Sequence, residues 1–253
     1  MTSVLAGTGR FVAFGADTAK ALFRRPFQVR ELIQQAWFIS SVSILPAALV
    51  SIPFGAVIAL QLGSLVRQLG AQSFTGAASV LAVVRESGPI VTALIIAGAG
   101  GSAICADLGA RKIREEIDAM QVLGIDPVQR LVVPRVIAAM FVAVLLNGLV
   151  SVVGVAGGYV FNVLVQGGTP GSYVASFQAL GQLSDLVAGE IKALVFGAAA
   201  ALVASYKGLN AGGGPKGVGD AVNQSVVIAF MLLFALNFLI TAVYFQVVPQ
   251  KGT

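Results

Sequence analysis

Five apolar runs, each about long enough to cross a bilayer core, fall at residues 37–66, 77–106, 136–165, 190–206 and 225–248. Backbone N–H and C=O groups find no water in hydrocarbon, so runs of this length become helices that satisfy those groups internally. The sequence therefore predicts an all-α polytopic membrane protein. Composition agrees: hydrophobic residues make up 57% of 253 residues and charged ones 11%, with a mean hydropathy of +0.90, outside the usage of soluble domains.

The runs carry local detail. Pro46 and Pro53 predict bends in the first, and Gln61 and Ser64 put polar groups toward its far end. A polar link follows at residues 67–76. Arg85 and Glu86 interrupt the second run. Gly154 and Gly158, four apart in the third, allow close helix approach. Residues 167–189 read as a polar loop or short helix, the fourth run contains Lys192, and residues 208–220 read as a flexible Gly-rich loop. A short tail occupies 249–253. Residues 1–35 lack the early apolar core of a signal peptide. Phe11, Phe14, Leu22 and Phe23 recur there at roughly helical spacing, opposite Arg10, Asp17 and Lys20. That pattern predicts a helix lying in the membrane interface. The expected organisation is an interfacial region at 1–35 and a single membrane domain at 36–253, without the internal repeats of many secondary transporters.

An odd number of spans puts the termini on opposite sides, and charge decides which is inside. With the N-terminus cytoplasmic, that side holds Arg10, Lys20, Arg24, Arg25, Arg30, Arg111, Lys112, Arg114, Arg130, Arg135, Lys207 and Lys216. Only Arg67, Arg85, Lys192 and Lys251 remain for the membrane and the other side. The positive-inside rule selects this orientation, with the C-terminus outside. The net charge of +5 is thereby a topology signal. The basic residues are too dispersed for a nucleic-acid surface.

Several chemistries are excluded. The sequence contains no histidine, so Ser-His or Cys-His nucleophiles, HExxH zinc sites and His proton relays cannot be built. No metal site or catalytic residue is expected. The single Cys105 sits among small apolar residues and reads as packing. Residues 98–103, GAGGSA, fit G-x-G-x-x-A inside an apolar run, where small-residue helix packing explains them. Residues 212–216 lack the G-K-[ST] ending of a phosphate loop, so ATP hydrolysis is not expected of this chain. Residues 217–220 match G-x-G-D, but Asp107 and Asp185 fall at run ends and supply no second membrane aspartate.

Residues 111–134, RKIREEIDAMQVLGIDPVQRLVVP, form the longest charged stretch and lie between the second and third runs. Ile113, Ile117, Met120 and Leu123 are spaced for one helical face, with Arg114, Glu115, Asp118 and Gln121 elsewhere. Gly124 reads as the helix stop and Asp126-Pro127 as the following turn. Read alone, this is a short amphipathic helix held in water between two spans.

This stretch, EEIDAMQVLGIDPVQRLVVPR, resembles the cytoplasmic coupling segment of the MlaE/YrbE permeases of ABC transporters. The resemblance continues through Glu86-Ser87-Gly88-Pro89, residues 98–103, residues 192–197 and the Gly-rich stretch 208–219. Familiar bacterial members carry Arg near Gly100 and Glu at the position of Asp107. This chain has neither, and in that it looks more like the actinobacterial YrbE subunits of Mce lipid-import systems.

The resemblance implies a permease subunit that moves lipids or other hydrophobic molecules across the cell envelope in a bacterial plasma membrane. It implies a second permease, identical or paralogous, a pair of cytoplasmic ATPase subunits that bind ATP and Mg, and MCE-domain proteins outside. No cofactor is expected on this chain itself. Ile117, Met120 and Leu123 would form the ridge gripped by the ATPase, with Ala119 between them. Glu115, Glu116 and Asp118 would set register, and Gly124, Asp126 and Pro127 would end the segment. Charges near the bilayer centre cost at least ~2.5 kcal/mol, which makes Arg85, Glu86, Glu190 and Lys192 functional candidates, with interfacial snorkelling or a structural salt bridge as the alternative. Glu86 and Lys192 fall in blocks that match the family. With Arg85, Gln61, Phe234, Asn237 and Phe238 they are the expected lipid-path residues. Two alternatives stay open: an ion-coupled secondary transporter using Glu86 and Lys192, and an intramembrane hydrolase built on a Ser–Lys dyad.

Overall fold

The computed structural model describes residues 2–24, 27–70, 74–180 and 182–247. The expected tail at 249–253, together with Val248 and residues 71–73 of the polar link, lies outside them. Every regular element among the described residues is helical. In chain order these are α1 (Thr2–Ala21), α2 (Val29–Gln68), α3 (Thr75–Leu81), α4 (Gly88–Ile95), α5 (Gly101–Ile113), α6 (Glu116–Val122), α7 (Val133–Leu164), α8 (Pro170–Leu180), α9 (Leu183–Leu209) and α10 (Gly214–Val247). Five stretches are long and apolar enough to span a membrane: Val29–Val66, Gly76–Ile113, Val128–Leu164, Leu183–Leu209 and Gly214–Val247.

The spans agree with the apolar runs in number and order, and they differ at the ends and at the charges. Arg85 and Glu86 do not interrupt the second span. A π-helical turn at Ala82–Ser87 carries them through it, and a second at Ile96–Gly100 joins α4 to α5. The wider π turn lets the chain continue while it re-aims side chains. Pro46 and Pro53 sit inside α2, which stays helical across both. The fourth span begins at Leu183, so Asp185 stands in the first turn of α9, where a carboxylate suits the positive end of the helix dipole. The Gly-rich stretch is largely helical, because α9 runs to Leu209 and α10 begins at Gly214. A Cβ at Gly217 would collide with the Gly212 carbonyl, and Gly214 takes φ +76°, so these glycines serve a tight corner.

The chain divides into two compact units. The first comprises Met1–Val42, Ile96–Val142 and Gly197–Leu233. Its core includes Ile39, Ile104, Leu108, Val132 and Val203, all buried. Here the aromatic residues of α1 face protein: Phe11 and Phe14 meet the ring of Tyr206 at 5.4 and 5.5 Å, and Thr18 and Ala21 are buried. Phe23 alone of the expected interfacial set is almost fully exposed, at 90%. A Cβ on Gly208 would lie 2.8 Å from the Cys105 carbonyl, so α9 and α5 touch backbone to backbone beside the buried Cys105.

The second unit comprises Ser43–Ile95, Ala143–Phe196 and Phe234–Thr253. Small residues hold it together, as expected where lipid tails remove any hydrophobic drive between helices. Gly55 abuts the Gly154 carbonyl, and a Cβ on Gly157 would lie 2.9 Å from the Ile52 carbonyl. The α2–α7 contact thus uses Gly154 and Gly158 as the sequence suggests, Gly158 facing the Gly55 carbonyl and Ala59, and adds Gly157 against Ile52. α8 packs on α3, and Tyr173 of α8 meets Tyr159 of α7 edge-on at 5.4 Å.

Candidate functional site

The second unit contains a polar cluster assembled from three helices. The π turn Ala82–Ser87 presents Arg85 and Glu86. Helix α9 presents Asp185 and Lys192, seven residues or two turns apart on one face. Helix α10 presents Asn237, Thr241 and Tyr244, spaced i, i+4 and i+7 on one stripe.

Lys192, 1% exposed, donates from Nζ to Glu86 Oε1 at 2.8 Å and to the Arg85 carbonyl at 3.1 Å. Glu86 also accepts from Asn237 Nδ2 at 3.3 Å and from Thr241 Oγ1 at 3.3 Å. Arg85 donates from Nη2 and Nε to Asp185 Oδ1 at 2.6 and 2.9 Å. The Tyr244 hydroxyl donates to the same oxygen at 2.6 Å. The guanidinium carbon stands 4.9 and 5.2 Å from the ring centroids of Tyr244 and Phe245. Glu190 accepts from Asn147 Nδ2 at 3.0 Å. Its other oxygen is buried without a hydrogen-bond partner among the described residues. Two cations thus face two carboxylates across short bonds, and the third carboxyl rests on an amide. Such pairing makes buried charge tolerable in a membrane span.

Of the expected path residues, the structure brings together Arg85, Glu86, Lys192 and Asn237. Phe234 and Phe238 lie on the exposed flank of α10, at 56% and 73%. Gln61 lies exposed on α2, where its carbonyl accepts from Ser64, and is not one of the cluster's partners. Asp185, Thr241, Tyr244 and Asn147 were not anticipated. The sequence reading puts Asp185 at a run end, within the polar loop or short helix at 167–189, although its seven-residue offset from Lys192 is a readable signal. The polar stripe on α10 was hidden by the more conspicuous phenylalanines.

In the first unit the charged stretch is not one helix. α5 runs on to Ile113, with Arg111 and Lys112 in its last turn. Glu115 then takes φ +59° and breaks the chain before α6. Gly124, at φ +72°, ends the segment, with the Ile125 N–H donating to the Met120 carbonyl at 2.9 Å. The break parts Ile113 from the expected apolar ridge, whose members differ in exposure: Ile117 is buried at 4%, Met120 is half-buried, and Leu123 is exposed at 74% beside Val122 at 88%. Lys112 bonds Asp118 at 2.7 Å and Arg114 bonds Glu116 at 2.7 Å, so these charges tie α6 to the end of α5. Glu115, Asp118 and Ala119 are exposed. Asp126 Oδ1 accepts from the Val128 N–H at 2.9 Å, and Pro127 opens the π turn Val128–Val132 that leads into α7.

The root of α7 is fixed by Arg135, fully buried. It donates to Asp107 Oδ2 at 2.5 Å and to the Leu131 carbonyl at 2.7 Å, with Glu31 at 3.6 Å. Asp107 also holds Arg111 at 3.2 Å. Asp107, two turns from the end of α5, is therefore an anchoring carboxylate.

A model of the family described as permease MlaE matches residues 32–243. The chain belongs to the MlaE permease family. The match covers the charged stretch and the polar cluster apart from Tyr244, and it leaves out α1. A probable ABC transporter permease protein of Rickettsia typhi is 34% identical over 240 residues, covering 94% of this permease and 92% of the relative. The intermembrane phospholipid transport system permease protein MlaE of Haemophilus influenzae is 30% identical over 240 residues, covering 94% and 91%. A probable ABC transporter permease protein of Synechocystis is 37% identical over 192 residues, covering 76% and 73%. With five candidate spans, this is a multi-pass membrane permease.

Proposed function

We propose that this permease is the transmembrane subunit of an ABC-type lipid transporter, driven by ATP hydrolysed on separate cytoplasmic subunits and coupled to MCE-domain proteins outside. The observation that carries the reading is the Arg85–Asp185 and Lys192–Glu86 cluster, set between membrane helices with Lys192 and Asp185 buried and Glu86 partly open, in a family whose Haemophilus member is named for phospholipid transport. Paired charges surrounded by apolar helices suit a phospholipid headgroup, which carries phosphate and often an ammonium group and can exchange with each half of such a pair. A second permease chain completes the assembly, with the exposed Phe234 and Phe238 available at the seam or to the lipid.

The positive-inside rule supports a cytoplasmic N-terminus and a cytoplasmic α6. There the exposed Val122 and Leu123, together with Glu115, Asp118 and Ala119, form the surface gripped by the ATPase. Glu116, Ile117 and Met120 support it from behind. Gly124, Asp126 and Pro127 stiffen its far end, so a push on α6 is delivered through the π turn to α7.

The test is purification of the tagged full chain from its native membrane in mild detergent, with mass spectrometry of everything retained. A nucleotide-binding subunit with MCE-domain proteins is the expected result, and a second permease sequence would distinguish a heterodimer from a homodimer. A chain that purifies with no nucleotide-binding partner in any detergent would overturn the reading in favour of an ion-coupled carrier using Glu86 and Lys192.

A further inference from the structure

We infer that the groove at the α1–α2 elbow in the first unit binds the phosphate-bearing headgroup of an anionic lipid, whose chains lie along α2. The groove has a volume of about 470 Å³ and its lining includes Gln28, Met120, Ile125, Asp126, Gln129 and Arg130. That volume is in the ordinary range for small-molecule sites.

Its charge favours an anion. Arg130 is exposed and donates to the neutral amide oxygen of Gln28. Arg24, also exposed, stands a loose 3.5 Å from Asp126, and its carbonyl accepts from Gln129 Nε2 at 3.3 Å. Two guanidinium groups thus face one carboxylate, and that carboxylate is already engaged with the Val128 N–H. A guanidinium fork matches phosphate geometry.

The surroundings select a lipid as the source of that phosphate. Phe23 and Phe27 of the elbow are exposed at 90% and 44%. Val29, Ile33 and Trp37, exposed at 53%, 62% and 77%, recur every four residues and so share one face of α2. This face opens a membrane span, and tryptophan at a span end marks headgroup depth. A soluble anion would need the arginines and not the apolar face. Because Met120, Ile125 and Asp126 belong both to the groove and to the segment after α6, a bound headgroup would brace that segment. The inference concerns a resident lipid and does not depend on what the permease transports.

Trp37 is the only tryptophan and reports the site directly. The full chain would be reconstituted in phosphatidylcholine vesicles, with dibrominated phosphatidylglycerol or dibrominated phosphatidylcholine titrated in and Trp37 quenching recorded. Stronger quenching by the anionic lipid is expected, weakening as salt rises from 0.1 to 1 M. Each of Arg24→Gln and Arg130→Gln should reduce the preference by about fivefold. Lys216→Gln, at an exposed cation on α10, should leave it unchanged. Equal quenching by the two lipids in the native chain would reduce the site to annular lipid and overturn the inference. A preference that survives in folded Arg24→Gln/Arg130→Gln protein would do the same. Displacement by millimolar inorganic phosphate would reassign the groove to a soluble anion.

Discussion

Replacing Asp185 with leucine removes the oxygen on which three donors converge: Arg85 Nη2 at 2.6 Å, Arg85 Nε at 2.9 Å and the Tyr244 hydroxyl at 2.6 Å. The side chains of the pair are 15% and 4% exposed, so water cannot substitute for the lost carboxylate. Arg85 would keep a weak bond to Tyr244 and two ring faces, and cation–π contact contributes about 2 kcal/mol at most. Breaking a buried ion pair from one side costs about 3–5 kcal/mol. Arg85→Met should cost a similar amount by leaving Asp185 charged in a span. Asp185 Oδ2 has no hydrogen-bond partner among the described residues, so the pair is imperfectly satisfied even when intact. Removing both charges, in Arg85→Met/Asp185→Leu, should therefore cost only about 1–3 kcal/mol, mostly from the Tyr244 hydroxyl that loses its acceptor.

The expected signature is non-additivity. The two single losses should exceed the double loss by about 3 kcal/mol or more. SDS titration of the four proteins in mixed micelles, followed by circular dichroism, measures this. An ordinary interhelical hydrogen bond in a membrane couples by only about 0.6 kcal/mol on average. A coupling near that value would mean that water or lipid headgroups already screen the pair, and the argument for a dry charge cluster would fail.

Other expectations follow from single contacts. Glu115→Gly should stabilise the fold by about 0.5–1 kcal/mol, because glycine accepts the left-handed φ of +59° that costs an ordinary residue about 1–2 kcal/mol; a lower melting temperature would show that the Glu115 side chain contributes more than its strain costs. Gly157→Ala should cost more than about 2 kcal/mol by forcing α7 from the Ile52 carbonyl, whereas Gly98→Ala, which meets open space, should be neutral; equal melting temperatures would refute the close α2–α7 contact. Burial pushes the phenol of Tyr173, outside the five spans, up to about 12. The raised value favours the neutral folded form, so its stabilisation should be complete below pH ~10 and lost as pH rises toward 12. Tyr173→Phe should remove that decline, and a tyrosinate absorbance transition at pH ~10 for every tyrosine would contradict it.

Much of this architecture is legible in the sequence because hydrocarbon imposes a simple rule: long apolar runs become helices. The less legible parts are places where local polarity misleads. Arg85-Glu86 reads as an interruption only while its partners are unknown; with Asp185 and Lys192 opposite, the helix continues through a π turn. Glycines at 208–219 read as a flexible loop because composition cannot distinguish freedom from close approach, and here Gly208 and Gly217 are needed for contact with backbone. The apolar spacing of Ile113, Ile117, Met120 and Leu123 assumes an unbroken helix. One residue in the left-handed region, Glu115, undoes it, and nothing in the spacing announces that.

Helix α10 shows the same physics from the other side. On a soluble helix, apolar residues face inward and polar ones outward. In the C-terminal half of α10 the order is reversed: Asn237, Thr241 and Tyr244 bond inward to Glu86 and Asp185, while Phe238, Leu239 and Val243 are exposed. Lipid solvates the apolar face as well as a neighbouring helix would, so only the polar stripe discriminates bound from unbound positions. Each of its bonds ends on a carboxylate that is also paired with Arg85 or Lys192. A headgroup or water that competes for those carboxylates would therefore loosen α10 from α9 and the π turn together, without disturbing any apolar core.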